Sequence, residues 1–391
     1  MNRQEKICIV FLIPAATVMA SFLSPALGLL QDYFMVSKST LSSVVTYYLA
    51  GCLLSQPLWG ATGKKIGKVR SIRLGVGTAL LGSLFLITGW YIHYFTLFVS
   101  GRFLIGFGLS AHLVCGFAVV KERLPPASQR NFFTLITVIF TVGTYSSMML
   151  SGFMAQHYSL GAVVACYLPV CLALLVPAWC LSEDEKHFKK EAAPKLLLQS
   201  NTLFLTVMFS LTLAITTLIA YMYAFYAPLI ATHNFGLQPQ AYSIYSFFTL
   251  FFLLLGSFIY PRLAQVMSEL ALCISGLVFI LCANILLLAL YSSALLTVNS
   301  MFLSFYLMNF VLGAIYPAAT LLALEFNPCK LTAATIMNLI KMGVPIVALY
   351  LSSRLFQDSI HSFAYTVLGY AGVCLLFLLA LQYQKKNFTI A

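Results

Sequence analysis

The chain has 391 residues, of which 61% are hydrophobic and only 8% charged, with a mean hydropathy of +0.94. Soluble domains carry about 25% charged residues, so a soluble globular protein is excluded and a polytopic membrane protein is implied. A net charge of +12 would point to nucleic acid in a soluble chain, but here the cations follow membrane topology and no nucleic-acid partner is expected.

A bilayer core of about 30 Å is crossed by about 20 helical residues. The apolar runs are long and lack strand alternation, and lipid leaves no water for unpaired backbone groups, so the runs are assigned as helices. In chain order the expected crossings are 7–30, 41–60, 72–92, 95–119, 131–153, 160–181, 202–230, 241–260, 268–290, 295–324, 331–353 and 362–383. These are helices one to twelve of an all-α membrane protein. The first begins at Ile7 and continues past twenty residues with no small-residue cleavage site, which predicts a retained helix rather than a removed signal peptide.

Between helices two and three, the stretch Trp59 to Arg73 holds Lys64, Lys65, Lys68, Arg70 and Arg73 and no acid. Short loops rich in Lys and Arg stay in the cytoplasm, so this loop orients the rest. Twelve crossings then place both termini in the cytoplasm, with eighteen of the 22 Lys and Arg residues inside. Only Lys38 and Arg354 fall outside, and Arg102 and Lys341 lie within the membrane. A miscounted helix would invert every later loop and spoil this asymmetry. Short loops without glycosylation-rich segments suit a bacterial inner membrane. The ten cysteines include no CxxC pair and fall mostly in apolar runs. They read as small core residues, and no metal or other cofactor is expected.

The longest polar segment, Ser182 to Ser200, halves the chain. The expected organisation is a six-helix bundle over 1–181, a cytoplasmic linker over 182–201 and a second six-helix bundle over 202–391. Helices one and seven start about 196 residues apart, Gly60 and Gly256 share that offset, and Tyr47 with Tyr48 answers Tyr242 with Tyr245. A repeat of six plus six helices is the signature of a two-bundle transporter with its site near the midplane between the halves.

Four patches carry a family resemblance. Gly60-Ala-Thr-Gly-Lys-Lys-Ile-Gly-Lys resembles the glycine and basic signature between helices two and three of the major facilitator superfamily. Arg102-Phe-Leu-Ile-Gly-Phe-Gly is similar to that superfamily's fourth-helix motif. Ser24-Pro25-Ala26-Leu27 and Gly313-Ala-Ile-Tyr-Pro317 resemble the Bcr/CflA branch of drug/proton antiporters. The resemblance implies a secondary transporter working by alternating access, and it implies an exporter. Three departures set this chain apart. Lys64 stands where the motif has an acid, helix five has Ser146-Ser147-Met148-Met149 in place of a Gly-Pro pair, and Ser21 lies near the place of the branch's helix-one acid.

An ionisable group inside the membrane costs roughly 2.5 to 3.5 kcal/mol on insertion scales. Arg102 and Lys341 therefore need a reason. As substrate-binding residues they would hold an anion, Arg by a bidentate fork and Lys as a point charge. The alternative for Arg102 is helix packing through backbone carbonyls, and for Lys341 a buried structural cation. No Asp or Glu lies mid-membrane, which leaves Lys341 and His112 as candidates for ion coupling, with a packed polar residue as the alternative for His112. Asp32, at the outer end of helix one, suits a gate. Glu325, at the inner end of helix ten, or Glu122 could pair with Lys64 as a cytoplasmic gate.

In helix seven, Tyr221, Tyr223, Phe225 and Tyr226 form an aromatic run, with Tyr221 and Phe225 on one face at i and i+4. They would wall a site for a ring-bearing substrate, or pack the core. Tyr145, 196 residues before Lys341, would face the same cavity. Pro14, Pro25, Pro317 and Pro345 are expected to break or bend their helices. With no P-loop, HExxH or Gly-x-Ser-x-Gly motif, an enzyme or an ATP-driven pump is not expected. The reading is a monomeric secondary transporter exporting a small amphiphilic or anionic metabolite or drug, with an importer or exchanger of an organic anion as the alternative.

Overall fold

The structure is a computed structural model. It describes residues 3–183, 200–325 and 330–388, with the side chains of Glu122, Glu325 and some other residues of helix ends outside that set. The described chain is built from long helices. They run over Arg3–Phe34, Ser43–Ile66, Lys68–Tyr91, Phe95–Arg123, Pro126–His157, Leu160–Cys180, Ser200–Phe235, Pro239–Val266, Glu269–Ser292, Val298–Glu325, Lys330–Leu355 and Ser359–Phe388, the first and sixth being interrupted. These occupy the twelve expected places, so the same numbers are kept. Ten of them are long and apolar enough to cross a membrane. Of the other two, Ser43–Ile66 carries more polar residues, and Pro126–His157 has several side chains outside the described set. A further short helix, Lys38–Leu41, precedes helix two. Serines start several helices from an extended backbone: Ser37, Ser159 and Ser268 accept from the amides of Thr40, Ala162 and Ala271 at 3.2, 3.1 and 3.3 Å, supplying a partner that the first turn lacks.

Three local departures from the expected spans have physical causes. The basic loop is almost entirely helical, since helix two continues to Ile66 and helix three starts at Lys68. Only Gly67 separates them, at φ +102°, a conformation that glycine adopts without steric cost. Helix one is broken into Arg3–Leu12, Ala15–Ser21, a 3-10 turn at Ser24–Ala26 and Leu27–Phe34. Pro14 and Pro25 sit at the two interruptions, where each lacks an amide proton for the helical ladder. Helix six is interrupted at Cys166, close before Pro169. Pro317 and Pro345, by contrast, lie inside helices that continue through them.

The chain divides into two compact units, residues 1–192 with 238–244, and residues 193–237 with 245–391. Residues 184–199, most of the expected linker, lie outside the described residues. The start of helix eight groups with the first unit because Gln240 meets the end of helix five, its amide donating to Gln156 Oε1 (3.3 Å) and its Oε1 lying 2.9 Å from His157 Nε2.

Within the first unit, helices three and four pack backbone to backbone along Gly75, Gly82 and Gly89 of one and Gly101 and Gly108 of the other. Helices two and four cross at Gly51 and Gly106, and in the second unit helices eight and ten cross at Gly256 and Gly313. These two crossings are equivalent at offsets of 205 and 207 residues, not the 196 that paired Gly60 with Gly256. At the larger offset, the position answering Lys341 falls near Ile136 rather than Tyr145.

Candidate functional site

The buried polar centre of the first unit forms where helix one unwinds. The last carbonyls of any helix lack an intrahelical partner, and the segment Ala15–Ser21 ends inside the unit rather than in solvent. Its carbonyls are met by side chains from other helices. Tyr48 Oη of helix two donates to Ala16 O at 2.5 Å. Arg102 of helix four donates from Nη1 to Met19 O (2.9 Å) and from Nη2 to Ala20 O (3.1 Å). Tyr167 Oη of helix six donates to Met19 O at 3.0 Å.

Two further bonds hold the Arg102 guanidinium. Nε donates to Val44 O at 3.2 Å, Nη1 to Tyr167 Oη at 2.9 Å, and the Tyr48 ring lies 4.4 Å below the carbon of the fork. With 1% of its surface accessible, Arg102 sits as a cap on helix one inside a single unit. A cation at a helix C-terminus is also favoured by the helix dipole.

Nearly three turns further along helix four, His112 is fully buried against the backbone of Leu12, with neither ring nitrogen in good hydrogen-bond geometry among the described residues. A buried polar group without a partner destabilises a fold by about 1 to 3 kcal/mol. His112→Leu is therefore expected to leave the melting temperature in detergent unchanged or higher. A clear fall would show that the ring holds a bond of structural weight.

At the basic end of the first unit, arginines hold the chain where helix six ends. Glu183 takes Arg70 Nε at 2.9 Å and Arg73 Nη1 at 3.2 Å. Arg73 also donates to the carbonyls of Ala178 (3.1 Å) and Leu181 (2.9 Å), and lies 4.7 Å over the Trp179 ring. Glu5, 5% exposed, takes Arg123 Nη1 at 2.9 Å and the Ser182 hydroxyl at 2.5 Å. Neither Glu5 nor Glu183 stands out in the sequence, because their partners lie more than a hundred residues away. Lys64 is exposed in the last turn of helix two, and its expected partners Glu122 and Glu325 have side chains outside the described residues. Removing one partner of a nearly buried ion pair strands the other. Glu5→Ala is thus expected to cost about 3 kcal/mol, read as a lower melting temperature, and an unchanged value would mean that Arg123 finds water instead.

The second unit holds the other membrane cation. Lys341 lies near the middle of helix eleven and is half-buried, and Tyr316 of helix ten is 42% exposed. Lys341 Nζ donates to Tyr316 Oη at 3.1 Å and lies 4.7 Å from the ring centroid. Tyr316 was not singled out from the sequence. The signal available was its place just before Pro317, in the patch that carries the family resemblance.

The helix-seven aromatics divide. Phe225 has no accessible surface and meets Tyr226 edge to face at 4.9 Å, and Tyr226 Oη lies 2.8 Å from Ser352 Oγ. Tyr223 is buried with its hydroxyl donating to Ser246 Oγ at 2.8 Å. Tyr221 is only half-buried, as is Tyr145 in the first unit. Asp32 is exposed near the end of the last segment of helix one. Among the described residues, no group of three or more His, Cys, Asp or Glu side chains could hold a metal ion.

Long apolar helices in two units, broken near buried polar groups and carrying an accessible cation at mid-helix, define a multi-pass membrane transporter rather than an enzyme. Residues 9–349 match the model of the Major Facilitator Superfamily, and the chain belongs to that family. No protein of curated function matches it by sequence. Among solved structures, it resembles a D-xylose-proton symporter at a TM-score of 0.72 and 13% identity, covering 96% of this chain and 95% of that one. The xylose transporter XylE from E. coli, in an inward open conformation, gives 0.72 at 14% identity, with 97% and 94% covered. The nucleoside transporter NupG, as a D323A mutant, gives 0.73 at 12% identity, with 97% and 99% covered. At these identities the likeness is one of fold.

Proposed function

We propose that this protein is a secondary transporter that exports a small organic anion, with Lys341 as the residue that meets the anionic group. The observation that carries this reading is the setting of Lys341. An ammonium turned towards lipid at mid-membrane would be strongly disfavoured, yet Lys341 is only half-buried and its partner Tyr316 is accessible. The face of the second unit that bears them therefore borders water, as the substrate path of an alternating-access transporter must. Arg102 and Phe225 are assigned to packing, the first by its four bonds and the second by its complete burial. Tyr221 and Tyr145, half-buried, remain the aromatic candidates for the body of the substrate. Lys341 and His112 are the candidates for coupling, and Asp32, Lys64 and Glu325 for gating.

Import or exchange of an organic anion is the second reading. It is favoured by Ser146-Ser147 in place of the exporters' Gly-Pro pair and by the absence of an acid in helix one. Orientation with both termini in the cytoplasm and a bacterial inner membrane belong to the same proposal, and rest on the distribution of Lys and Arg and on the short loops; a monomeric state is proposed with them.

A ligand that binds only the folded state raises its stability by mass action. Purified protein is expected to be stabilised by anionic compounds over matched zwitterions and cations, and Lys341→Ala is expected to lose that response. Equal stabilisation of both proteins by lipophilic cations would assign Lys341 to structure and replace the anion reading with a multidrug one.

A further inference from the structure

An ammonium group has donors only, whereas a phenol oxygen can both accept and donate. The 3.1 Å contact from Lys341 Nζ to Tyr316 Oη therefore occupies a lone pair of the phenol. Its own proton is left for another acceptor, and among the described residues none takes it. The same contact holds the lysine chain beside the tyrosine, with the ring adding cation–π attraction. Two donors of different kinds thus lie side by side on an accessible face, one charged and one neutral.

We propose that Tyr316 and Lys341 form a two-donor fork for a single carboxylate, the ammonium donating to one oxygen and the tyrosine hydroxyl to the other. This rests on the anion reading above and narrows it to a substrate class. Arg102 is enclosed in the other unit with four of its five donors committed, so of the two mid-membrane cations in the sequence Lys341 is the one that a substrate can reach. One positive charge compensates one negative charge. A second anionic group would find no second cation in the fork, and the site favours monocarboxylates over dicarboxylates and phosphate monoesters. Tyr316 is a positioning and specificity residue that fixes the orientation of the carboxylate plane.

The test measures binding by thermal shift for wild type, Tyr316→Phe and Lys341→Ala against butyrate, benzoate, their dianionic counterparts succinate and phthalate, and thiocyanate. Phenylalanine keeps the ring under the ammonium and removes only the hydroxyl. Wild type is expected to bind the monocarboxylates more tightly than the dianions. Tyr316→Phe is expected to bind them roughly tenfold more weakly, the loss typical of one hydrogen bond to a charged group, with the melting temperature of the free protein unchanged. Thiocyanate, a monoanion that needs a single donor, is expected to change little in that variant.

If wild type responds to none of the carboxylates, or Lys341→Ala responds as wild type does, the anion reading falls and takes the fork with it. If Lys341→Ala loses the response while Tyr316→Phe keeps the full wild-type affinity, the anion reading stands and the fork is wrong. Tighter binding of the dianions would overturn the single-charge site.

Discussion

Arg102→Leu is expected to destabilise the first unit by about 4 kcal/mol, a loss large enough to lower the melting temperature in detergent by on the order of ten degrees. Arg102 provides the donors for Met19 O and Ala20 O, two terminal carbonyls of a helix segment that ends inside the protein, and for Val44 O and Tyr167 Oη. Leucine fills part of the volume and supplies no donor. Met19 O keeps the Tyr167 hydroxyl, whereas the Tyr48 proton is already directed at Ala16 O and is not free to serve Ala20 O or Val44 O. Arg102→Lys keeps the charge but replaces a planar fork by a point donor, and an intermediate loss is expected. The decisive comparison combines stability with binding. If Arg102 caps helix one, Arg102→Lys melts lower yet gains as much from benzoate as wild type does. A variant that melts like wild type and no longer responds to the anion would return Arg102 to the substrate site.

That pair of outcomes also marks what could be seen in the sequence. The insertion cost of a charge is set by residue type and depth, so Arg102 and Lys341 stand out in any hydropathy reading. Their roles depend on partners, and partners are a matter of topology. Arg102 meets carbonyls 58, 82 and 83 residues away, at a helix end that exists only because Pro14 and Pro25 interrupt helix one. The prolines were legible, and the stranded carbonyls were not. Tyr316 is one of 21 tyrosines and becomes distinctive only when helix eleven brings an ammonium to its hydroxyl. The all-helical membrane fold needed less, because the length of an apolar run is a local property. The charge of the basic stretch after Trp59 suggests a loop, but lysines are good helix formers, and of its glycines Gly60, Gly63 and Gly67 only Gly67 leaves the helix. One long-range contact was within reach. Gly75, Gly82 and Gly89 recur every seven residues, as do Gly101 and Gly108, and seven residues are close to two helical turns, so each set lies along one helix face.

That glycine seam supports the second large effect, for Gly82→Val. A Cβ at Gly82 would lie 2.7 Å from Ile105 N and 2.8 Å from Gly101 O, and one at Gly75 would lie 2.5 Å from Gly108 O. These are backbone atoms of the facing helix, which cannot rotate away as a side chain can. In lipid, where exclusion of water no longer drives helix association, close backbone approach through small residues is a main source of packing energy. Alanine at position 82 forces helices three and four apart locally and is expected to cost about 1 to 3 kcal/mol, the usual range for overpacking. Valine, with a branched carbon at the same point, is expected to abolish stable folding of the unit. Gly77 provides the control within the same helix, since a Cβ there meets nothing within 4 Å. Gly77→Ala is expected to be neutral or stabilising by up to about 1 kcal/mol, through helix propensity alone. Expression level, monodispersity in detergent and melting temperature of the three variants read the difference directly. If Gly82→Ala and Gly77→Ala melt together, the two helices can separate without loss and the seam does not hold the unit. If only the Gly82 variants fall, the spacing of the two helices is fixed by their backbones, and with it the position of Arg102, which helix four presents one residue beyond Gly101.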